Sequence, residues 1–221
     1  MARREIPGSI GAAAAAASLF PWEAIQEINE HSIELLVQLA RSAANPLLLS
    51  PTLRELLRQT SPDDRKHAAA RAYLLIDLAF RNLPWWEAIH RSPEKQFPGS
   101  VGRNALPKRS AVPLARTLLV ATREAIRADK EIACLMLGVE LQVADLISGL
   151  KITEIDRIAG HQFLHMEFRW LDRPAIWRSL LLIVGNPKSL EEHRFDAHCL
   201  QLLIGDMLAN TEATGENRRL P

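Results

Sequence analysis

Apolar residues recur at three- and four-residue spacing through most of this chain, on both sides of one stretch that lacks them. From Trp22, "WEAIQEINEHSIELLVQLARSA" sets Ile25, Ile28, Leu35, Leu36 and Leu39 near one face and glutamates on the other, as an amphipathic helix requires. "SPTLRELLRQT" and "SPDDRKHAAARAYLLIDLAF" follow. Each opens on Ser then Pro, with Ser50 and Ser61 placed to cap a helix whose first turn tolerates proline. Pro84 then breaks the chain before "WWEAIHR". Residues 92–113, "SPEKQFPGSVGRNALPKRSAVP", hold four prolines and two glycines without such a period, so they read as a linker. Beyond it, "LARTLLVATREAIRADKEIACLMLG" reads as a long amphipathic helix ending near Gly138, followed by a short helix over 140–148. Thr153 with Asp156 resembles a capping box opening the next helix. "RPAIWRSLLLIV" and "LEEHRFDAHCLQLLIGDMLAN" supply two more. The pattern predicts an all-α fold; "FLHMEFRW" alternates enough to leave a short strand near 163–170 open.

The two sides of the linker share an order of signals: helix, capped turn, helix, apolar run, Phe-Arg. "LLLS" at 47–50 and "LMLG" at 135–138 lie 88 residues apart, as do "FR" at 80–81 and "FR" at 168–169. "LPWWEAIHR" mirrors "LDRPAIWRSL" with a two-residue insertion. These matches predict two related helical units, a divergent tandem duplication. The expected organisation is a flexible segment over 1–20, unit 1 over 21–91, a linker over 92–112, unit 2 over 113–210 and a flexible tail over 211–221.

Composition narrows the function. Basic and acidic residues number 27 and 26, a net charge of +1, so any nucleic-acid role must rest on a local patch rather than on the whole molecule's field. The best patch is Arg91, Lys95, Arg103, Lys108, Arg109 and Arg116 against Glu94; a solvated linker is the plainer use of the same charges. A second basic set is Arg54, Arg58, Arg65, Lys66 and Arg71, diluted by Glu55, Asp63 and Asp64. Two cysteines, Cys134 and Cys199, cannot build a thiolate zinc cage and read as core residues in a reducing cytoplasm. His161 and His165 have ligand-like spacing but no evident third ligand. Neither a phosphate-binding glycine loop nor a nucleophile elbow appears. No residue is assigned a catalytic role, and neither cofactor nor metal is expected. "MARREIPGSIGAAAAAASLFPW" imitates an export signal, but Glu5, Pro7 and two glycines interrupt it; no run is long enough to span a membrane. Trp85, Trp86, Trp170 and Trp177 lie at matching places in the two units. They are apolar fill or, since Trp85 and Trp86 are adjacent and cannot both face one core, anchors for a partner.

"LMLGVELQVADLISGLKITEIDRIAGHQFLHMEFRW" suggests a helix-turn-helix. With Thr153 as cap, its turn is longer than the three to four residues of that motif. Its second helix carries few base-reading side chains beyond Arg157 and Gln162. The stretch reads as two helices packing in a bundle.

The same stretch resembles FlhD, the helical subunit of the flagellar transcriptional activator FlhD–FlhC. A long helix, "LG", a short apolar helix, "LKITEIDRIAG" and an apolar run ending "EFRW" carry the resemblance. It covers about residues 113–182, and "EINEHSIELLVQLAR" is similar to the family's start. The resemblance implies an all-helical bacterial transcriptional regulator that dimerises and works on DNA with an FlhC-like or other partner. Relatives on integrating conjugative elements suggest a mobile-element setting. The four-cysteine zinc site of FlhC-like subunits has no counterpart here. FlhD-like chains are about half this length, so a tandem copy implies a pseudo-dimer within one chain and leaves homodimerisation open. The expectation is a cytoplasmic regulator touching DNA through Arg91, Lys95, Arg103, Lys108, Arg109, Arg116 and Arg157. The alternative is a protein–protein module, an antiactivator or adaptor, that does not touch DNA.

Overall fold

A computed structural model describes residues 20–43, 47–92, 106–182 and 190–217. The fold is mostly α-helical, as the periodicity predicts. Before the linker stand α1 (Trp22–Arg41), α2 (Pro51–Gln59), α3 (Pro62–Ala69), β1 (Ile76–Leu78) and α4 (Leu83–Arg91). After it come α5 (Lys108–Ala128), α6 (Lys130–Leu137), α7 (Leu141–Ser148), α8 (Ile152–Gln162), a 3-10 turn (Phe163–His165), β2 (Met166–Phe168), α9 (Pro174–Leu182) and α10 (Leu190–Asn217). The expected lead-in over 1–20 lies outside the described residues apart from Phe20, which is buried. Helix α5 begins inside the expected linker and α10 runs into the expected tail.

Local chemistry sets the helix starts. The Ser50 hydroxyl accepts the Leu53 N–H at 3.4 Å, and Ser61 and Asp64 cap each other's backbone N–H at 3.1 and 3.2 Å. The long helix expected to reach Gly138 breaks at Asp129, whose backbone is extended and whose carboxylate accepts the Ile132 N–H at 2.9 Å, opening α6. Gly138 then closes α6 in the left-handed region at φ 62°.

The short strand left open by the sequence exists, and its partner is β1. The two pair antiparallel with Ile76 opposite Phe168, Asp77 opposite Glu167 and Leu78 opposite Met166. Taking Asp77 and Glu167 as equivalents makes this register its own mirror, with a local twofold through the central pair. The starts of α2 and α7, of α3 and α8, and of β1 and β2 are all 90 residues apart; those of α4 and α9 are 91 apart. Left-handed backbone recurs with them, at Leu48 and Gly138 and again at Ala79 and Trp170. The 88-residue matches of "LLLS" with "LMLG" and of the two "FR" pairs are therefore out of register: Phe168 falls on Leu78, and Arg169 on Ala79.

Packing is reciprocal. Helix α4 rests on α7 of the other half, and α9 rests on α2 and α3 of the first. One core runs through both halves, with α5 at its centre packed on α1, α6, α7 and α8. Among the described residues the final helix has no counterpart in the first half. It packs on α6 and is tied down by charge: Arg71, only 1% exposed at its side chain, donates to Glu192 at 2.7 Å and to Asp196 at 3.1 Å. Tyr73 Oη donates to Asp196 at 3.0 Å, and Arg81 and Arg173 flank Asp206 at 3.4 and 3.7 Å.

Candidate nucleic-acid and partner interface

Among the described residues, those expected to follow a phosphate backbone divide between free and ion-paired cations. Lys108 and Arg109 are exposed on the first turn of α5, where the unsatisfied N–H groups of the helix end add to their positive charge. Neither has an ion-pair partner among the described residues. Arg116, two turns on, is held by Asp156 of α8 at 2.6 Å, and Arg91 reaches Glu87 at 3.7 Å across one turn of α4. Lys95 and Arg103 lie outside the described residues. Arg157 is exposed on α8, beside Asp156. A groove of about 320 Å³ between α1 and α5 brings Glu34 and His31 alongside Arg109, Pro113 and Thr117. Glu34, on the exposed face of α1, thus borders the positive end of α5. That neighbour weakens the attraction of an anion for Arg109.

The second basic set dissolves into structural duties. Arg54 and Arg58 donate to carbonyls at the end of α1, Ala40 O for both and Ser42 O for Arg54. Arg71 is buried under α10. Arg58 is nonetheless exposed and pairs with Glu55 at 3.8 Å, and Arg65 and Lys66 lie near the surface.

Trp85, Trp86, Trp170 and Trp177 are all buried in the chain's own core. Trp86 Nε1 donates to Ala79 O at 3.0 Å and Trp177 Nε1 to Arg169 O at 2.7 Å, so these two are equivalents, 91 residues apart. The adjacent Trp85 and Trp86 are both enclosed, against the expectation that one would face outward. Helix α4 lies between the halves and is covered on two sides, with Trp85 against the His165 ring at 4.9 Å and Trp86 stacked on Phe80. As folded, Trp85, Trp86, Trp170 and Trp177 present no anchor to a partner.

The histidine pair separates. His161 is exposed on α8, whereas His165 follows in the 3-10 turn, packed on Trp85, with burial holding its pKa below the ordinary value. Among the described residues no group of three potential ligands could hold a metal. Both thiols are buried, and burial pushes each up to about 11.

The helix-turn-helix impression changes more. Helix α8 starts at Ile152, not after Thr153, because the Glu154 carboxylate reaches back to the Lys151 N–H at 2.7 Å. The turn from α7 is therefore Gly149, Leu150 and Lys151, within the ordinary length of the motif. What it lacks is a reading surface: α8 exposes Thr153, Asp156, Arg157 and His161, and Asp156 already holds Arg116.

Sequence reasoning missed the buried arginines. Arg169 donates to Asp77 at 2.9 Å, to Leu137 O at 2.7 Å and to Ile76 O at 3.4 Å, while burial lowers its pKa against the pull of Asp77. It joins both strands to the end of α6, and Gly138 is glycine because a Cβ there would overlap the guanidinium. Arg123, also buried, donates to Leu150 O at 3.0 Å, and the exposed Arg127 donates to Ser148 O at 2.8 Å, fixing the α7–α8 turn onto α5. Arg169 lies in the "EFRW" that ends the resemblance; otherwise nothing separates these arginines from surface charges.

The architecture defines a class: a mostly helical chain whose halves repeat one order of elements and exchange their post-strand helices. Within it, residues 113–186 match the family model of the flagellar transcriptional activator FlhD, so the second half is FlhD-like. Neither the curated proteins nor the solved structures provide a match. Among the described residues no helix is long and apolar enough to cross a membrane.

Proposed function

We propose that this chain regulates transcription as a single-chain counterpart of an FlhD-type dimer, assembling with a protein partner at DNA. The match over residues 113–186 carries the regulatory reading. The self-symmetric strand pair and the reciprocal packing of α4 on α7 and α9 on α2 support the pseudo-dimer, in which unit 1 fills the place of a second protomer. The surface between units is then internal, and the chain sediments at the mass of one chain rather than two.

DNA contact on this reading is modest and electrostatic. Lys108 and Arg109 supply it, with Arg91, Arg116 and, beyond the described residues, Lys95 and Arg103. An acidic α1 beside them favours a chain that contacts phosphates weakly and depends on its partner for sequence. The test is salt-dependent binding of random duplex DNA to the intact chain, alone and with an FlhC-type subunit. Binding that weakens with salt and falls about tenfold in Lys108→Glu/Arg109→Glu is expected. No binding at low salt in either setting overturns the DNA contact and leaves the protein–protein module, for which the acidic face of α1 and the near-zero net charge speak.

A further inference from the structure

Helix α10 covers a face that exists twice. Resting on the pseudo-dimer reading, residues 62–78 and 152–168 align without a gap, each residue 90 positions from its equivalent. Ala68, Ala69, Tyr73, Ile76 and Leu78 are buried, and so are Ile158, Ala159, Phe163, Met166 and Phe168. On the first face His67 and Arg71, four residues apart, meet Glu192 and Asp196 of α10. On the second face the equivalents are Arg157 and His161, the same two residue types in reversed order. Both are exposed, and Arg157 has no ion-pair partner among the described residues.

We propose that the surface around Arg157 and His161 is a second docking face, which takes an acidic amphipathic helix of a partner protein as the first takes α10. The occupant's chemistry follows from the occupied copy. Glu192 and Asp196 lie one turn apart on α10 and answer the Arg/His pair, while Cys199 and Leu203 on the same helix are buried. The second face offers the same two residue types, Arg157 and His161, in the open. Leu48, equivalent to the Gly138 that ends α6 beside α10, is 85% exposed in a left-handed conformation. An exposed leucine suits the apolar side of a helix and gives nothing to a phosphate backbone. Residues 93–105, which follow α4 in sequence, carry Glu94 as their one acid, so their sequence does not offer the acidic pair of α10.

A labelled peptide with the sequence of residues 190–206, Cys199→Ser, serves as the acidic-helix probe against the intact chain, with a scrambled peptide as control. Saturable binding of one peptide per chain is expected, weakened about tenfold by Arg157→Glu and again by His161→Glu. Both positions are exposed, so circular dichroism should show these variants folded. Absence of binding, binding equal to the scrambled control, or binding indifferent to both substitutions overturns the proposal. So does binding that only Arg71→Met weakens, because the peptide has then exchanged with α10 on the first face. Random duplex DNA is titrated in parallel. If Arg157→Glu weakens DNA but not peptide, the surface belongs to nucleic acid and the docking proposal falls while the DNA reading stands. If peptide binding responds and DNA binding is absent, the reverse holds.

Discussion

The two halves of this chain repeat one order of elements from α2 to α4 and from α7 to α9, and the left-handed turns show where each was free to differ. At the end of α6 the turn is Gly138, pressed against the Arg169 guanidinium, so no side chain fits. Its equivalent, Leu48, keeps the same sign of φ with a side chain almost wholly in solvent. Ala79 and Trp170 repeat the lesson four residues before α4 and α9, where a positive φ persists in residues that do not favour it. The path is imposed by the exchange of α4 and α9 between halves, and residue types vary where neighbours permit. Charge diverges further. The exposed face of α1 carries Glu23, Glu27 and Glu34, whereas α5 opens on Lys108 and Arg109 and exposes Arg116 and Arg127.

The sharpest test of equivalence is Trp86→Ala against Trp177→Ala. Each side chain is fully buried and donates its indole N–H to the carbonyl just after its strand, so each truncation should cost about 3–5 kcal/mol in urea unfolding. Costs that differ by more than about 2 kcal/mol break the comparison, for one tryptophan would then be dispensable to its half.

A smaller effect separates the covered face from the open one. Arg71→Met strips the buried partner from Glu192 and Asp196 and should cost about 3 kcal/mol, the low end for a buried pair because Asp196 is 35% exposed at its side chain. His161→Met, at the equivalent site, should change unfolding by less than about 0.5 kcal/mol. Glycine and leucine should then exchange signs. Gly138→Ala combines left-handed strain with overlap on Arg169 and should cost about 2 kcal/mol, while Leu48→Gly relieves strain and should gain about 0.5 kcal/mol. A loss in Leu48→Gly would mean that the leucine is packed, not exposed.

Much of this was legible in the sequence because helices announce themselves locally. The caps at Ser50 and Ser61, the apolar stripe of α1 and the FlhD-like order from Leu137 to Trp170 all depend on near neighbours. The duplication was visible as an order of signals but misregistered, since identical tetrapeptides and "FR" pairs offered a plausible 88-residue frame. The true 90-residue frame rests on dissimilar pairs such as Ile76 with Met166. Strand β1 was not foreseen: three residues gain a strand only by finding β2 from the far half. The start of α8 turned on whether Glu154 or Thr153 opens the helix, a choice made by a single hydrogen bond. The site was less legible still. Buried Arg71, Arg123 and Arg169 look like any surface cation until tertiary neighbours are known, and adjacent tryptophans can both be enclosed when the helix lies between two packed halves.

A pH series divides the halves as well. Burial pushes Cys134 and Cys199 up to about 11 from an ordinary 9.0, and Tyr73, which contacts α10, is raised above its ordinary range by burial and by Cys199. Groups that hold their protons more tightly when folded give full stability below their unfolded pKa and lose it as pH rises through the folded one. Melting temperature should therefore fall between pH 9 and 11. Two of the three groups, Cys199 and Tyr73, lie where α10 meets the first half, so hydrogen exchange should rise first in α10 and Cys199→Ala should flatten the fall. His165 acts on the acid side with the opposite sign. Burial lowers its pKa, so the unfolded chain binds its proton more readily and stability is lost as pH drops below 6.5. Its equivalent in the first half is Leu75, which cannot titrate. Acid should therefore loosen the contact of the 3-10 turn with Trp85 before it disturbs the segment around Leu75, and His165→Phe should remove that sensitivity. Equal loosening of both segments in a pH series of amide exchange would show that His165 is not its source.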